Sequence, residues 1–248
     1  MRHVPAALSL VAFTAGCGAA RVSPPLPTEA EWLTARAWLG ELRATEPAKP
    51  FAAIVQVTLR EPHTGRSFSA RGAVAVDPHR ALRMILVGPA GATALDIWAT
   101  PDRWRFEVPA ANILRRGGRE DDPSVPIGFF RWWFLAPLEG RLLTSVAGRE
   151  SERFVLRDQS ATIDLTDSRG PTGGVAHVVR ASRRAAEGID RVAFRGASFA
   201  ASAGDHATYD QDPSGVHVEV SIESPSDAPD PAAFLDPDSP EGQKASGR

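Results

Sequence analysis

Between Phe51 and Val108, apolar and polar positions alternate with period two five times in succession. Phe51, Ala53, Val55, Val57 and Leu59 make the first apolar series, and Phe68, Ala70, Gly72, Val74 and Val76 the second. Leu82, Met84 and Leu86 follow, then Leu95 and Ile97, then Trp104, Phe106 and Val108. Successive side chains of a strand point to opposite faces, so the pattern predicts five strands. The connectors Pro62-His63-Thr64-Gly65, Asp77-Pro78-His79, Gly88-Pro89-Ala90-Gly91 and Thr100-Pro101-Asp102 are short and rich in turn formers. Connections this short join antiparallel neighbours, which makes the five strands a meander. Ile54, Ile85, Val87 and Trp98 put apolar groups on the second face too, which a sheet with one wet face would not need.

After the meander the alternation stops. Ala110 to Arg115 is read as a short helical or irregular piece and Arg115 to Asp122 as a charged loop. The stretch from Pro126 to Pro137, Ile-Gly-Phe-Phe-Arg-Trp-Trp-Phe-Leu-Ala between the two prolines, is the most aromatic in the chain and carries one charge, Arg131. Its length and its closing proline predict a helix of two to three turns, and so much aromatic surface must be buried. Strands resume at Arg141–Ala147, Arg153–Arg157, Ala161–Thr166, Val175–Ala181, Ile189–Phe199 and Val216–Ile222. Upstream of the meander, Thr28-Glu29-Ala30-Glu31 is a capping box, and Trp32, Ala35, Leu39 and Leu42 form one apolar stripe of a helix that ends before Pro47. These elements predict an α+β domain in which a curved antiparallel sheet of about ten to eleven strands wraps around the aromatic helix.

The first residues are of another kind. Val4 to Ala15 is apolar, follows Arg2, and is too short for a stable membrane span. It ends in Thr14-Ala15-Gly16-Cys17, which resembles a bacterial lipobox. Residues 1–16 are therefore expected to be a signal peptide and Cys17 the acylated N-terminus, each acyl methylene contributing about 0.8 kcal/mol of membrane affinity. Residue 18 is Gly rather than Asp, which by resemblance to enterobacterial sorting rules favours the outer membrane. Residues 17–27 make a small, proline-rich tether, 28–223 the folded domain, and 224–248 a Pro/Asp-rich tail expected to be largely disordered, with Ala232–Leu235 docking as a last turn.

Composition removes function classes more than it adds them. The formal charge of −2 over 248 residues argues against nucleic acid, and one cysteine excludes an intramolecular disulfide. The six histidines are scattered and none pairs at metal-ligand spacing. There is no Gly-x-Ser-x-Gly elbow, and Gly170-Pro171-Thr172-Gly173-Gly174 lacks the lysine of a phosphate loop. Asp210-x-Asp212 with Gly215 lacks the remaining ligands of a calcium loop. Arg103, Arg105, Arg115, Arg116 and Arg119 are read as a solvated basic face. The expectation is of no metal, no cofactor and no enzyme.

The order of elements, a lipobox, a Trp-bearing helix, a five-strand meander, an apolar Pro-Ile…Trp-Trp…Pro…Gly helix from Pro126 to Gly140 and more strands, resembles the LolA/LolB superfamily of periplasmic lipoprotein carriers. The lipid-anchored LolB branch is most similar, with Leu86 to Ile97 as its third-to-fourth strand hairpin. The resemblance implies an unclosed antiparallel barrel whose concave side is covered by helices and holds acyl chains of a lipid or lipoprotein. It implies a monomer on the periplasmic face of the outer membrane that receives cargo from a periplasmic carrier protein. Candidate cavity-lining residues are Ile54, Met84, Leu86, Leu95, Ile97, Trp104, Phe130, Trp133 and Phe134. Pro89 and Ala90 stand where that branch has a bulky membrane-facing loop tip. The alternative is a structural or assembly lipoprotein of the same fold with a filled interior.

Overall fold

The computed structural model describes residues 27–245 apart from 61, 63, 159–160, 170–176, 186–187, 197–201 and 227. The expected signal peptide, Cys17 and the tether up to residue 26 lie outside the described residues. The first element is α1 (Glu29–Arg43), opened by the predicted capping box: Glu31 N–H donates to the Thr28 hydroxyl at 3.3 Å, and Thr28 N–H donates to the Glu31 carboxylate at 2.7 Å. Its buried stripe is Ala35, Leu39 and Leu42.

The meander forms as the alternation requires: β1 (Phe51–Arg60), β2 (Ser67–Asp77), β3 (Ala81–Val87), β4 (Thr93–Ala99) and β5 (Trp104–Val108), each antiparallel to the next. A sixth strand, β6 (Ile113–Gly117), pairs with β5 where an irregular piece and a charged loop were expected. It evades the period-two rule because Ile113-Leu114 and Arg115-Arg116 come in like pairs, and it is an edge strand with almost no buried side chain. After α2 (Ile127–Leu135) come β7 (Arg141–Ala147), β8 (Ser151–Arg157), β9 (Thr162–Arg169), β10 (His177–Arg184), β11 (Ile189–Gly196), β12 (His206–Asp212) and β13 (His217–Ser226). The strand β12 was not expected either. Its Asp210 and Asp212, which lack the remaining ligands of a calcium loop, are ladder residues opposite β11.

All thirteen strands form one curved, unclosed sheet in the order β6-β5-β4-β3-β2-β1-β13-β12-β11-β10-β9-β8-β7, so ten to eleven strands was an undercount. The two halves join through β1 and β13, which pair along nearly their whole length. The edge strands β6 and β7 are consecutive in the chain. The segment between them therefore has to cross from one edge of the sheet to the other, and it carries α2.

One face of the sheet, here the inner face, packs on α1 and α2 as a continuous core. The outer face of β8 to β12 is polar, with Arg153, Asp164, Arg180, Arg191 and Asp210 around a surface groove. On the outer face of β3 to β5 the described part of the tail, from residue 228 to 245, is folded down rather than disordered. A single 3-10 turn at Pro231–Phe234 lies on β2 and β3, and α3 (Pro240–Ala245) follows it. The indole of Trp98 donates to the Phe234 carbonyl at 3.0 Å, and Asp236 and Asp238 take Arg103 and Arg116. Of the five arginines read as a solvated face, Arg103, Arg115, Arg116 and Arg119 are exposed, two of them paired with the tail, and Arg105 alone departs from the reading, buried beneath the tail.

Candidate functional site

The site is the inner face and the helix that rests on it. On the meander side Met84 stands opposite Ile97, Ile97 opposite Phe106, Leu86 opposite Leu95 and Ala99 opposite Trp104, all facing inward and all buried. Of the nine candidate lining residues, Met84, Leu86, Leu95, Ile97, Trp104, Phe130 and Trp133 belong to this buried core, and Phe134 is half-buried against it. Ile54 does not join them. Its neighbours Ala53 and Val55 face inward, and a strand residue between two inward residues must face out, where Ile54 is half-buried. Pro89 and Ala90 form an exposed 3-10 turn at the tip of the β3–β4 hairpin, with Ala90 at φ 61°.

Helix α2 fills the concavity with rings. Phe129 and Phe130 have no exposed surface. Phe129 stacks on Tyr209 of β12 with centroids 4.7 Å apart, and Trp133 meets Phe194 of β11 at 5.2 Å. Phe134 stacks on Phe130 at 6.2 Å from the less buried side. Arg131, the helix's one charge, cannot enter this core and is tied down beside it. Its guanidinium reaches the Asp121 carboxylate at 2.7 Å, the Arg119 carbonyl at 3.0 Å and the carbonyl of Pro101 in the β4–β5 turn. The other end of α2 is held by the His79 N–H, which donates to the Leu135 carbonyl at 3.1 Å.

The inner face of the second half has an apolar belt between two polar ends. Along β10, His177, Val179, Ala181 and Arg183 face the same way, a span of about 20 Å at 3.3 Å per residue. At one end Arg183, Asp190 and Gln211 stand side by side on β10, β11 and β12. Tyr209 donates its hydroxyl to Asp190 at 2.7 Å, Gln211 donates to the same oxygen at 3.3 Å, and Arg183 reaches Asp190 at 3.3 Å and Asp121 at 3.5 Å. At the other end the fully buried Asp167 accepts from the Trp38 indole of α1 at 2.8 Å and meets Nδ1 of His177 at 3.0 Å. One polar cluster thus positions α2 and the other α1. Beside α2, a cleft of about 700 Å³ opens between Arg131, Asp121, Arg183, His79, Asp102 and Trp132.

The polar clusters were not foreseen, but they left a trace. Asp190 is in phase with the apolar Val192 and Phe194, Gln211 with Ala207 and Tyr209, and Arg183 with Val179 and Ala181. A polar residue in the apolar phase of a strand must find partners inside.

Burial pushes the carboxyl of Asp121 above the ordinary range, against the pull of Arg131 and Arg183. Burial also raises Glu46 and Glu152. Burial and the adjacent Asp190 push the Tyr209 hydroxyl well above the usual phenol range, so it remains a donor. For His217 burial pulls downward, but hydrogen bonds to Asp210 and Glu219 outweigh it and the net shift is upward. Each of Glu46, Asp121, Glu152 and His217 binds its proton more tightly folded than unfolded. The stability each contributes is complete below its unfolded value and is lost as pH rises through its folded value. The carboxyls shifted downward, Glu31 and Asp238, lose their contributions only as pH falls below their ordinary range. The expected result is a higher urea midpoint at pH 5.5 than at pH 7.5; a lower midpoint at pH 5.5 contradicts this balance.

No protein-family model matches the chain, and a search of curated proteins finds no match. Solved structures do resemble it. A LolA superfamily protein from Nitrosomonas europaea matches with a TM-score of 0.50 at 12% identity, covering 82% of this chain and 97% of that one. A DUF1329 family protein from Desulfovibrio piger matches at 0.48 and 8% identity, covering 82% and 96%. A domain described as an outer membrane lipoprotein-sorting protein, from Vibrio parahaemolyticus, matches at 0.47 and 9% identity, covering 81% and 97%. At such identities the likeness is one of fold: the unclosed, helix-covered sheet implied by the order of elements is the fold of the LolA superfamily structure.

Proposed function

We propose that this chain is a lipid-anchored protein of the bacterial envelope that holds acyl chains of a lipid or lipoprotein on the inner face beneath α2. The observation that carries the reading is the continuity of the buried apolar face, from Leu86 and Leu95 on the meander to Val179 and Ala181 on the far half, closed by one short helix from the link between the two edge strands. A hydrocarbon chain needs no specific polar partner there, since each buried methylene contributes about 0.8 kcal/mol. Entry requires Phe130, Trp133 and Phe134 to give way, and the half-buried Phe134 side of α2 is where a chain enters. Binding, not catalysis, is the activity.

The test is mass spectrometry of lipids extracted from the chain begun at Gly18 and purified from bacterial cells. Acyl species in stoichiometric amount are expected, as is their loss in Ile97→Trp, which fills the face. Extracts free of acyl species in the unsubstituted chain sink the reading.

The alternative, a structural or assembly lipoprotein with a filled interior, is favoured by one observation: Phe129 and Phe130 are completely enclosed. It predicts lipid-free protein. On both readings Cys17 is the anchor to the outer membrane, and cargo on the first reading comes from a periplasmic carrier. Cys17→Ala is expected to move the protein from the membrane fraction to the soluble periplasmic fraction, and retention of the variant on membranes contradicts the anchor.

A further inference from the structure

The outer face of β5 and β6 places Arg105 directly opposite Arg116. Two like charges facing each other across a sheet repel. An anion between them removes the repulsion, and the tail supplies it. Asp238 takes Arg116 with both oxygens, at 2.5 and 2.9 Å, and approaches Nε of Arg105 at 3.4 Å. Two residues earlier Asp236 takes Arg103 at 2.8 Å, with the buried Pro237 setting the spacing between the two carboxylates. The remaining nitrogens of Arg105 are committed to Asp96 at 3.1 Å and Glu107 at 2.5 Å, which fixes its direction. The cationic site is thus built from the sheet side, and the tail is its occupant.

The tail's outermost contacts are open to water. Its apolar seat is the half-buried Phe234 and the buried Pro237, while its neighbour Leu235 is exposed, as are Ala228, Asp230 and Pro231 on the way from β13. Arg116 and Asp238 keep half and a third of their side-chain surface in solvent. A contact led by charge and open to water is weakened by salt.

We infer that this arginine site on the outer face is a docking surface for an acidic peptide segment of another protein, and that the chain's own Phe234-Leu235-Asp236-Pro237-Asp238 occupies it as a tethered self-ligand. The ligand is an extended segment with two carboxylates two residues apart, preceded by a bulky apolar side chain. Its carboxylates replace Asp236 and Asp238, and its apolar residue takes the place of Phe234 beside Trp98. Tethering gives the tail an effective concentration in the millimolar range, so a competing segment gains access when the tail is loosened or when it is itself held nearby.

The test uses the full chain with Asp236→Asn and Asp238→Asn together, which unlatches the tail. The probe is a fluorescent peptide with the sequence of residues 230–245, followed by anisotropy at low salt. The unlatched chain is expected to bind it roughly tenfold or more tighter than the unsubstituted chain, because the self-ligand no longer competes. Arg103→Ala with Arg116→Ala in the unlatched chain is expected to abolish binding, as is replacing both aspartates of the peptide by asparagine. Should the unlatched chain fail to fold, the unsubstituted chain is used with an excess of the same peptide, isotope-labelled so that the two tails differ in mass. Faster amide exchange of the chain's own residues 231–244 on adding peptide then supports the proposal, and unchanged exchange overturns it. Equal binding to latched and unlatched chains also overturns it, as does no binding to a folded unlatched chain. Binding of phosphatidylglycerol vesicles but not of peptide overturns it in favour of a lipid headgroup.

Discussion

Replacing Phe129 by alanine is expected to lower the folding free energy by about 3–5 kcal/mol, the range for a large aromatic removed from a core that cannot collapse around the gap. Phe129 has no exposed surface. It touches rings on three sides: Phe130 at 5.1 Å, Phe134 at 6.3 Å and Tyr209 at 4.7 Å, the last nearly parallel at 19°. Such pairs contribute about 0.5–1.5 kcal/mol each beyond the area they bury. The Tyr209 contact is the one that joins α2 to β12, so the loss falls on the seating of the helix as well as on the core. Phe134→Ala, at a half-buried position, is expected to cost about 1–2 kcal/mol. Urea denaturation of both variants at pH 7 checks the pair. A Phe129→Ala cost below about 1 kcal/mol, or one no larger than that of Phe134→Ala, means the interior around α2 is not packed as described.

The contrast between these two positions bears on how the protein works. A helix gripped equally at every residue would be part of the core and nothing else. Here the grip is graded. Phe129 and Phe130 are enclosed, Phe134 is not, and Arg131 is tied to the chain on either side of the cleft, at Asp121 and at Pro101. The helix is also the only element in the link between two unpaired sheet edges. Its departure would break no ladder hydrogen bond. That placement suits a cover over an apolar face better than it suits a central strut.

What could be read from the residues follows from how local the cause was. The meander was legible because each of its strands alternates on its own and each connector has turn chemistry. Helix α2 was legible because ten residues between two prolines, nine of them apolar or glycine, have few other places to go. β12 was not, because His206, Thr208, Asp210 and Asp212 face solvent while its inward residues are the small Ala207 and the polar-tipped Tyr209 and Gln211. Such a strand reads like a loop until β11 and β13 are placed beside it. The docking turn at Ala232–Leu235 was legible, but the tail beyond it was misjudged for a different reason. Its composition alone predicts disorder, but Asp238 meets Arg116 across 122 positions of chain, and no local pattern reports a partner that distant. Of the candidate lining residues, Met84 through Trp104 were legible from phase as inward-facing. Ile54 was misplaced because its apolar character was weighed above its phase.

Asp190→Ala is expected to cost about 3–5 kcal/mol, the usual penalty for removing one member of a buried charge pair. Asp190 is 6% exposed and serves three groups at once: the Tyr209 hydroxyl, the Gln211 amide and the Arg183 guanidinium. Without it the hydroxyl and the amide lose their acceptor inside the sheet. The Arg183 charge is then left to the more distant Asp121, which already carries Arg131. Asp190→Asn separates the two parts of the loss. The amide oxygen still accepts from Tyr209, so what disappears is the charge facing Arg183. The asparagine variant is therefore expected to lose less than the alanine variant, and the remainder measures the ion pair. A double cycle with Tyr209→Phe isolates the hydroxyl: if the cluster acts as a unit, Asp190→Ala costs less in the Tyr209→Phe background than in the unsubstituted chain. Equal costs in both backgrounds would mean that Tyr209 and Asp190 are merely neighbours, and that the polar end of the inner face does not position the helix stacked upon it.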